Sequence, residues 1–247
     1  MTALAIRVRR AGASRGPRVA AALAAAALMA SLTGAARQPI TLYPVQAAFA
    51  SPGPYATTTE TVTDTSGTAI YDVFRPGDYS ALGFQSPIVT WGNGTGASPS
   101  KVSDFLSHLA SYGFTVIAST LPNTGSGNEI DAAAHYLVTQ NGIATSVYHG
   151  HLNTGEVASV GTSQGAGGAV QAATKDPALI KTVMTFSLPN AVWAGSNPDC
   201  PTAADCTANP AALTQPVFFV STYGFWDSII ASPATEKAYF NSTSVHA

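Results

Sequence analysis

The sequence predicts an α/β protein with a mostly parallel central sheet flanked by helices and an antiparallel hairpin on its N-terminal side. Three observations carry that expectation. Short apolar runs rich in Val, Ile, Thr and aromatic residues recur between stretches of helical character from residue 51 onward, without internal repeats. Strand and helix alternate, which makes successive strands parallel and covers both faces of the sheet. The 247 residues, 46% of them apolar, suffice for one sizeable core and leave little for a second domain.

Thr57 to Thr63 and Ala69 to Phe74 alternate in polarity around Asp64-Thr-Ser-Gly67 and form the opening hairpin. Pro87 to Trp91 reads as a strand, Pro99 to Tyr112 as a helix, Phe114 to Ser119 as a strand and Asn128 to Val138 as a helix. Strands then follow at Glu156 to Val160, Thr182 to Phe186 and Pro216 to Ser221, with helices at Gly167 to Lys175 and Ser232 to Phe240. Ser98-Pro99 and Ser232-Pro233 each offer a capping hydroxyl followed by proline at the first helical position.

The first residues have a different character. Arg7, Arg9, Arg10, Arg15 and Arg18 precede the 14-residue apolar run Val19 to Leu32, and small residues follow through Ala35-Ala36. This order marks residues 1–36 as a secretory signal, and 14 alanine-rich residues are too few to span a bilayer. An uncleaved anchor is the alternative. Cleavage sites are offered after Ala35 or Ala36, or later at Ala48-Phe49-Ala50. A flexible segment, 37–55, would then lead into a domain over 56–247 of a secreted, monomeric protein.

Beyond residue 37 the chain keeps five basic side chains against 13 carboxylates, a balance of 5 − 13 = −8. An acidic surface without a basic patch argues against a nucleic-acid partner. Cys200 and Cys206 enclose Pro-Thr-Ala-Ala-Asp, and in an oxidising compartment they are expected to pair. So short a loop gains only about 2 kcal/mol by the chain-entropy argument, so the bridge shapes a local loop and does not hold the fold. Two free or metal-binding thiols are the weaker reading, since no histidine lies near them in sequence; neither a metal nor a cofactor is expected.

The chemistry is concentrated in Val157-Ala-Ser-Val-Gly161-Thr-Ser163-Gln-Gly165-Ala-Gly-Gly168, an apolar run ending in Gly-x-Ser-x-Gly and running into small residues. The pattern alone also fits a glycine-rich turn. Its context, a strand before and a helix after, fits a tight turn that holds Ser163 as a nucleophile, because glycine at both flanks lets the backbone bend without side-chain clashes.

In parallel sheets ligands gather at the carboxyl ends of the strands. After Trp91 the chain reads Gly92-Asn93-Gly94-Thr95-Gly96, a turn that can bring a backbone N–H from Asn93 or Gly94 beside that of Gln164 as oxyanion donors. After the strand ending near Ser221 comes Asp227, 64 residues beyond Ser163, placed to orient a histidine general base. Asp199 and Asp205 are its rivals, but they flank or lie inside the cysteine loop, where a surface role suffices.

From about Ser51 onward the chain resembles secreted α/β-hydrolases, most closely bacterial polyester hydrolases, cutinase-like lipases and their dienelactone-hydrolase relatives. The likeness rests on Trp91-Gly-Asn-Gly-Thr95, Gly161-Thr-Ser-Gln-Gly165 and Asp227-Ser-Ile-Ile-Ala-Ser-Pro233 followed by a helix. It implies the α/β-hydrolase fold, a serine nucleophile at Ser163, its aspartate at Asp227, oxyanion donors at Asn93 and Gln164, and cofactor-free hydrolysis of carboxylic esters. One departure is Thr162, where polyester-degrading relatives often carry an aromatic residue or histidine; it weighs against aromatic polyesters. Trp91, Tyr223, Phe225 and Trp226 are candidates for lining an apolar groove, though aromatic residues at strand ends are also ordinary packing.

The second departure concerns the base. Only 20 residues follow Asp227, and the helix from Ser232 takes up most of them, so His246 falls where a further strand would begin. His149 and His151 precede the nucleophile strand at the far edge of the sheet, and His108 and His135 lie within helices. The expected base therefore lies beyond Ala247, in a C-terminal strand and loop absent from this sequence, with His246 as a displaced alternative. Two classes of function follow: a secreted serine esterase or lipase acting on an apolar ester, and a non-catalytic hydrolase-fold protein that only binds in its cleft.

Overall fold

The computed structural model describes residues 44–196, 200, 202–221 and 224–245, the side chains of 195, 196 and 225–227 excepted. The chain divides into two units, Met1–Ala48 and Phe49–Ala247. The segment expected to be a secretory signal lies outside the described residues. The short helix α1 (Pro44–Phe49) straddles the division between the units.

In the second unit β1 (Thr57–Thr63) and β2 (Ala69–Pro76) form the expected antiparallel hairpin. β3 (Ser86–Gly92), β4 (Thr115–Ser119), β5 (Leu152–Thr162), β6 (Ile180–Phe186) and β7 (Val217–Val220) are parallel, and β2 joins them antiparallel to β4. The seven strands are ordered β1-β2-β4-β3-β5-β6-β7. Between and after them run α2 (Ser103–Ser111), α3 (Asn128–Asn141), α4 (Gln164–Lys175), α5 (Ala203–Cys206), α6 (Phe225–Ile230) and α7 (Pro233–Ser242). A mostly parallel, helix-flanked sheet with an antiparallel start is the α/β-hydrolase architecture.

The central strands are buried on both faces, so they read as nearly continuous apolar runs; all five residues of β4 are buried. Alternation along β3 feeds two cores. Ile88 packs with Ile117, Ile130 and Leu137 under α3 and α4, while Val89 and Trp91 pack with Leu106 and Val116 under α2. Each fully buried Leu or Ile contributes roughly 1.5–3 kcal/mol. Two hydroxyls caught between are paired: Thr90 Oγ1 donates to Ile130 O at 2.7 Å and Ser159 Oγ to Ala169 O at 2.9 Å.

Two expectations are corrected. The helix foreseen from Pro99 is a 3-10 turn, Pro99–Lys101, followed by α2 from Ser103, because Val102 (φ −129, ψ 17) interrupts the helical path. The Ser98 hydroxyl therefore caps nothing and meets Ser100 Oγ at 2.8 Å, whereas Ser232 accepts the Thr235 N–H at 3.1 Å as foreseen. β5 is 11 residues long, beginning at Leu152, since its polar first half pairs with the start of β3.

The chain leaves β3 toward β4 on one side and returns as β5 on the other. A crevice must open where the connections diverge, at the carboxyl ends of β3 and β5. Gly92 and Gly161 are paired there.

Candidate active site

Ser163 occupies the turn from β5 into α4 with φ 52 and ψ −123, a conformation that side-chain-bearing residues rarely adopt. Such backbone costs on the order of 1–3 kcal/mol and persists only where surroundings impose it. Here the Ser163 N–H donates to Phe186 O at 2.9 Å and its carbonyl accepts the Ala166 N–H at 2.9 Å. The flanking glycines allow the approach of β3, β5 and α4: a methyl at Gly161 would overlap the Gly165 carbonyl, and one at Gly165 would overlap Gly92. Ser187, just past β6, is the other described non-glycine residue with positive φ, also 52.

The loop after β3 lies against this turn. A methyl at Gly94 would stand 3.7 Å from Ser163 Cβ and 3.6 Å from Thr162 O. The Asn93 side chain is buried and turned away, donating to Ser119 O at 2.7 Å and Leu121 O at 3.0 Å. Any oxyanion role of Asn93 therefore belongs to its backbone N–H. Gln164 is the first residue of α4, where an amide has no acceptor within its own helix. Its side chain is fixed to the neighbouring loop, Oε1 accepting the Thr124 N–H at 3.0 Å.

Ser163 and Gln164 face a cleft of about 260 Å³, with Thr95 on one side. The segment after β6 supplies Pro189, Asn190, Ala191 and Trp193, the cysteine loop supplies Cys206 and Ala208, and α6 supplies Ile230. Most of this lining is apolar. Its volume lies just below the usual range of roughly 300–1,000 Å³ for ligand sites.

Cys200 and Cys206 form the expected disulfide, Cα atoms 5.8 Å apart. Asp205 is used locally, its Oδ2 accepting the Thr202 N–H at 2.7 Å in a capping box. Asp227 lies in α6, one turn before Ile230, and its side chain is outside the described residues, as are Asp199, Tyr223 and His246 and the side chains of Phe225 and Trp226. Trp91 is 3% exposed against Phe105 and Phe186, so it belongs to the core and not to the groove.

Among the described residues no histidine lines the cleft. His108 meets Phe49 O at 2.9 Å, His149 meets Asn141 O at 3.1 Å, and His151 stacks on Tyr79. His135 pairs with Asp176 at 3.0 Å and Asp131 at 3.9 Å, the one described group of three side chains close enough to share a metal ion. Burial raises the Asp131 carboxyl above its ordinary value, with His135 opposing. Asp176 follows the last residue of α4, about 18 Å along a 12-residue helix from Ser163, so this cluster is separate from the cleft.

A family model described as PET hydrolase-like matches residues 35–236, most of the chain. The chain belongs to the PET hydrolase-like family. Membership places it among hydrolases that act on esters, the bond that links PET. The match includes Asn93, Ser163, Gln164 and Asp227. No curated protein matches the sequence. Among the described residues of this PET hydrolase-like chain, no helix is long and apolar enough to cross a membrane.

Sequence reasoning missed the wall formed by Leu188-Pro-Asn-Ala-Val-Trp193, although the rule that sites follow strand ends applied to β6 as it did to β3. It also missed Glu236. That carboxyl is 5% exposed; burial pushes it up to about 7, while the hydrogen bond from Leu188 N–H at 2.6 Å pulls it down.

Proposed function

We propose that this protein is an exported, monomeric, cofactor-free serine hydrolase that cleaves carboxylic esters of apolar acids through an acyl-enzyme on Ser163. The observation that carries the reading is the backbone of Ser163, φ 52 and ψ −123 between a strand and a helix amino terminus at an apolar cleft. A conformation so costly is explained by the task of lifting a hydroxyl clear of the sheet.

In this reading Ser163 Oγ attacks the ester carbonyl carbon as a histidine takes its proton. That histidine lies outside the described residues, and His246 is the one this sequence offers. The carbonyl π electrons move onto oxygen, where the N–H groups of Gln164 and Asn93 receive them, each such donor contributing roughly 3 kcal/mol. Collapse breaks the bond to the leaving oxygen, which departs as the alcohol with the imidazolium proton. Water, deprotonated by the same imidazole, then releases the acid and restores Ser163. Asp227 orients the histidine and stabilises its charged form; its place one turn before Ile230, at the cleft, supports the assignment.

The family supports an ester-linked polymer as substrate, and Thr162 in place of an aromatic residue favours aliphatic over aromatic units. The disulfide and the signal-like residues 1–36 support export, with the catalytic domain over 56–247. A second reading, a protein that only binds in this cleft, is favoured by the absence of histidine from the lining among the described residues. A fluorophosphonate probe separates the two: a stoichiometric mass increase that Ser163→Ala abolishes supports the hydrolase, and no labelling supports the binding protein.

A further inference from the structure

The cleft wall that follows β6 is held from behind by α7. The Leu188 N–H donates to Glu236 Oε1 at 2.6 Å, and the Tyr239 hydroxyl donates to Pro189 O at 2.8 Å. Glu236 and Tyr239 are three residues apart, so they share one face of the helix. On the wall's other side the Asn190 N–H donates to Ile230 O at 2.9 Å, tying the same segment to α6. Pro189, Asn190, Ala191 and Trp193 thus face the cleft from a strand of chain clamped between two helices.

Glu236 is an unusual choice for this clamp. It is 5% exposed, and among the described residues its second oxygen, Oε2, is buried without a hydrogen-bond partner. Capping does not explain it, because Ser232 already accepts the Thr235 N–H. Among the described residues, the segments seen against α7 include β7, the Pro210–Ala212 turn and residues 187–190, and none of these carries a charged side chain. Tyr239, itself raised by burial and by Glu236, is the titratable neighbour on the same face, and Lys237 points to solvent.

We propose that Glu236 is a positioning residue for the ester cleft, holding the wall at Leu188–Trp193 in place while its carboxyl is neutral and releasing it on ionisation, so that ligands bind more weakly as pH rises. This rests on the reading of the cleft as the ester site. The neutral carboxyl keeps an acceptor on Leu188 at the cost of one unpaired hydroxyl. Ionised, it would hold an unpaired charge in apolar surroundings; the Leu188 amide favours that charge but does not offset its burial, so the carboxylate turns outward to water and the amide loses its anchor. The carboxyl's upward displacement to about 7 follows from the same burial and places the release near neutrality.

The test uses the full chain labelled with 5-fluorotryptophan, the ¹⁹F resonance of Trp193 being assigned with Trp193→Phe. Trp193 is 41% exposed on the wall, and its resonance is expected to titrate with a midpoint near 7. Glu236→Gln, which keeps the acceptor and cannot ionise, should hold the low-pH shift throughout. Glu236→Leu should show a displaced shift at every pH. In a Ser163→Ala background, which binds without turnover, the dissociation constant for p-nitrophenyl butyrate should rise at least threefold from pH 6 to 8.5. Its ceiling is roughly thirtyfold, set by the remaining neutral fraction. A Trp193 resonance that ignores pH, or one that titrates equally in Glu236→Gln, overturns the proposal. Neither readout needs catalysis, so failure of fluorophosphonate labelling would remove the hydrolase reading while leaving this result standing.

Discussion

Gly94 and Ser163 face each other across the ends of β3 and β5, with room at Gly94 for a methyl 3.7 Å from Ser163 Cβ. The loop after β3 is therefore within reach of a group held on the serine, and the absence of a side chain keeps that space open. Gly94→Ala should fold with a stability loss under about 1 kcal/mol, since every contact its methyl would make is an ordinary one. Hydrolysis of p-nitrophenyl butyrate should nonetheless fall tenfold or more. Gly165→Ala should behave differently, losing at least about 2 kcal/mol in urea unfolding because its methyl overlaps the backbone of Gly92.

The strain at Ser163 predicts a gain in stability when the serine gives way to glycine. At φ 52 glycine is at ease and every other residue is not. Ser163→Gly should unfold at a higher urea midpoint than the parent, by about 1 kcal/mol, whereas Ser163→Ala, which keeps a Cβ, should gain nothing. Both should be inert to fluorophosphonate. Equal midpoints for the two variants would mean that the turn is not strained.

Glu236 makes stability depend on pH with a sign opposite to that of a salt-bridged carboxylate. Its folded-state value of about 7 lies above the ordinary 4.5, so the folded chain binds the proton more tightly than the unfolded chain. That contribution is complete below 4.5 and is lost as pH climbs through 7. The span is worth roughly 3 kcal/mol at most. Glu236→Gln should therefore exceed the parent by about 2 kcal/mol at pH 8.5 and match it near pH 4.5 in urea titrations. A constant difference at both pH values would rule the carboxyl out as the source.

The disulfide closes a short loop whose last residue, Cys206, is in the cleft wall. Replacing both cysteines by serine should cost about 2 kcal/mol of stability. Because Cys206 and Ala208 line the cleft, the same change should raise KM more than it lowers kcat. A lowered kcat at constant KM would place the loop's influence elsewhere.

Local physics made much of this molecule readable from its residues. The central parallel strands are buried on both faces, so Pro87 to Trp91 and Phe114 to Ser119 had to be apolar runs, and they are recognisable as such. The turn at Gly161-Thr-Ser-Gln-Gly165 is legible because the glycines that its tight packing requires all fall within five residues, although β3 and β6 hold it in place. Ser232-Pro233 likewise announced a helix start that the Thr235 amide uses. Where the reading failed locally, at Ser98, one residue with an interrupting backbone angle was enough to detach a capping hydroxyl from its helix.

Everything that depends on how separate segments dock had to come from three dimensions. Leu188 and Glu236 are 48 residues apart, and nothing near either one in the chain marks a buried carboxyl or the cleft wall that it holds. Trp91 and Trp193 are both aromatic residues near the end of a strand, yet one fills the core and the other faces the cleft. Side-chain periodicity tells which residues leave water; it does not tell which distant surface they meet. Burial, the displaced acidity of Glu236 and the lining of the cleft are properties of those meetings, and they exist only once β6, α6 and α7 are packed together.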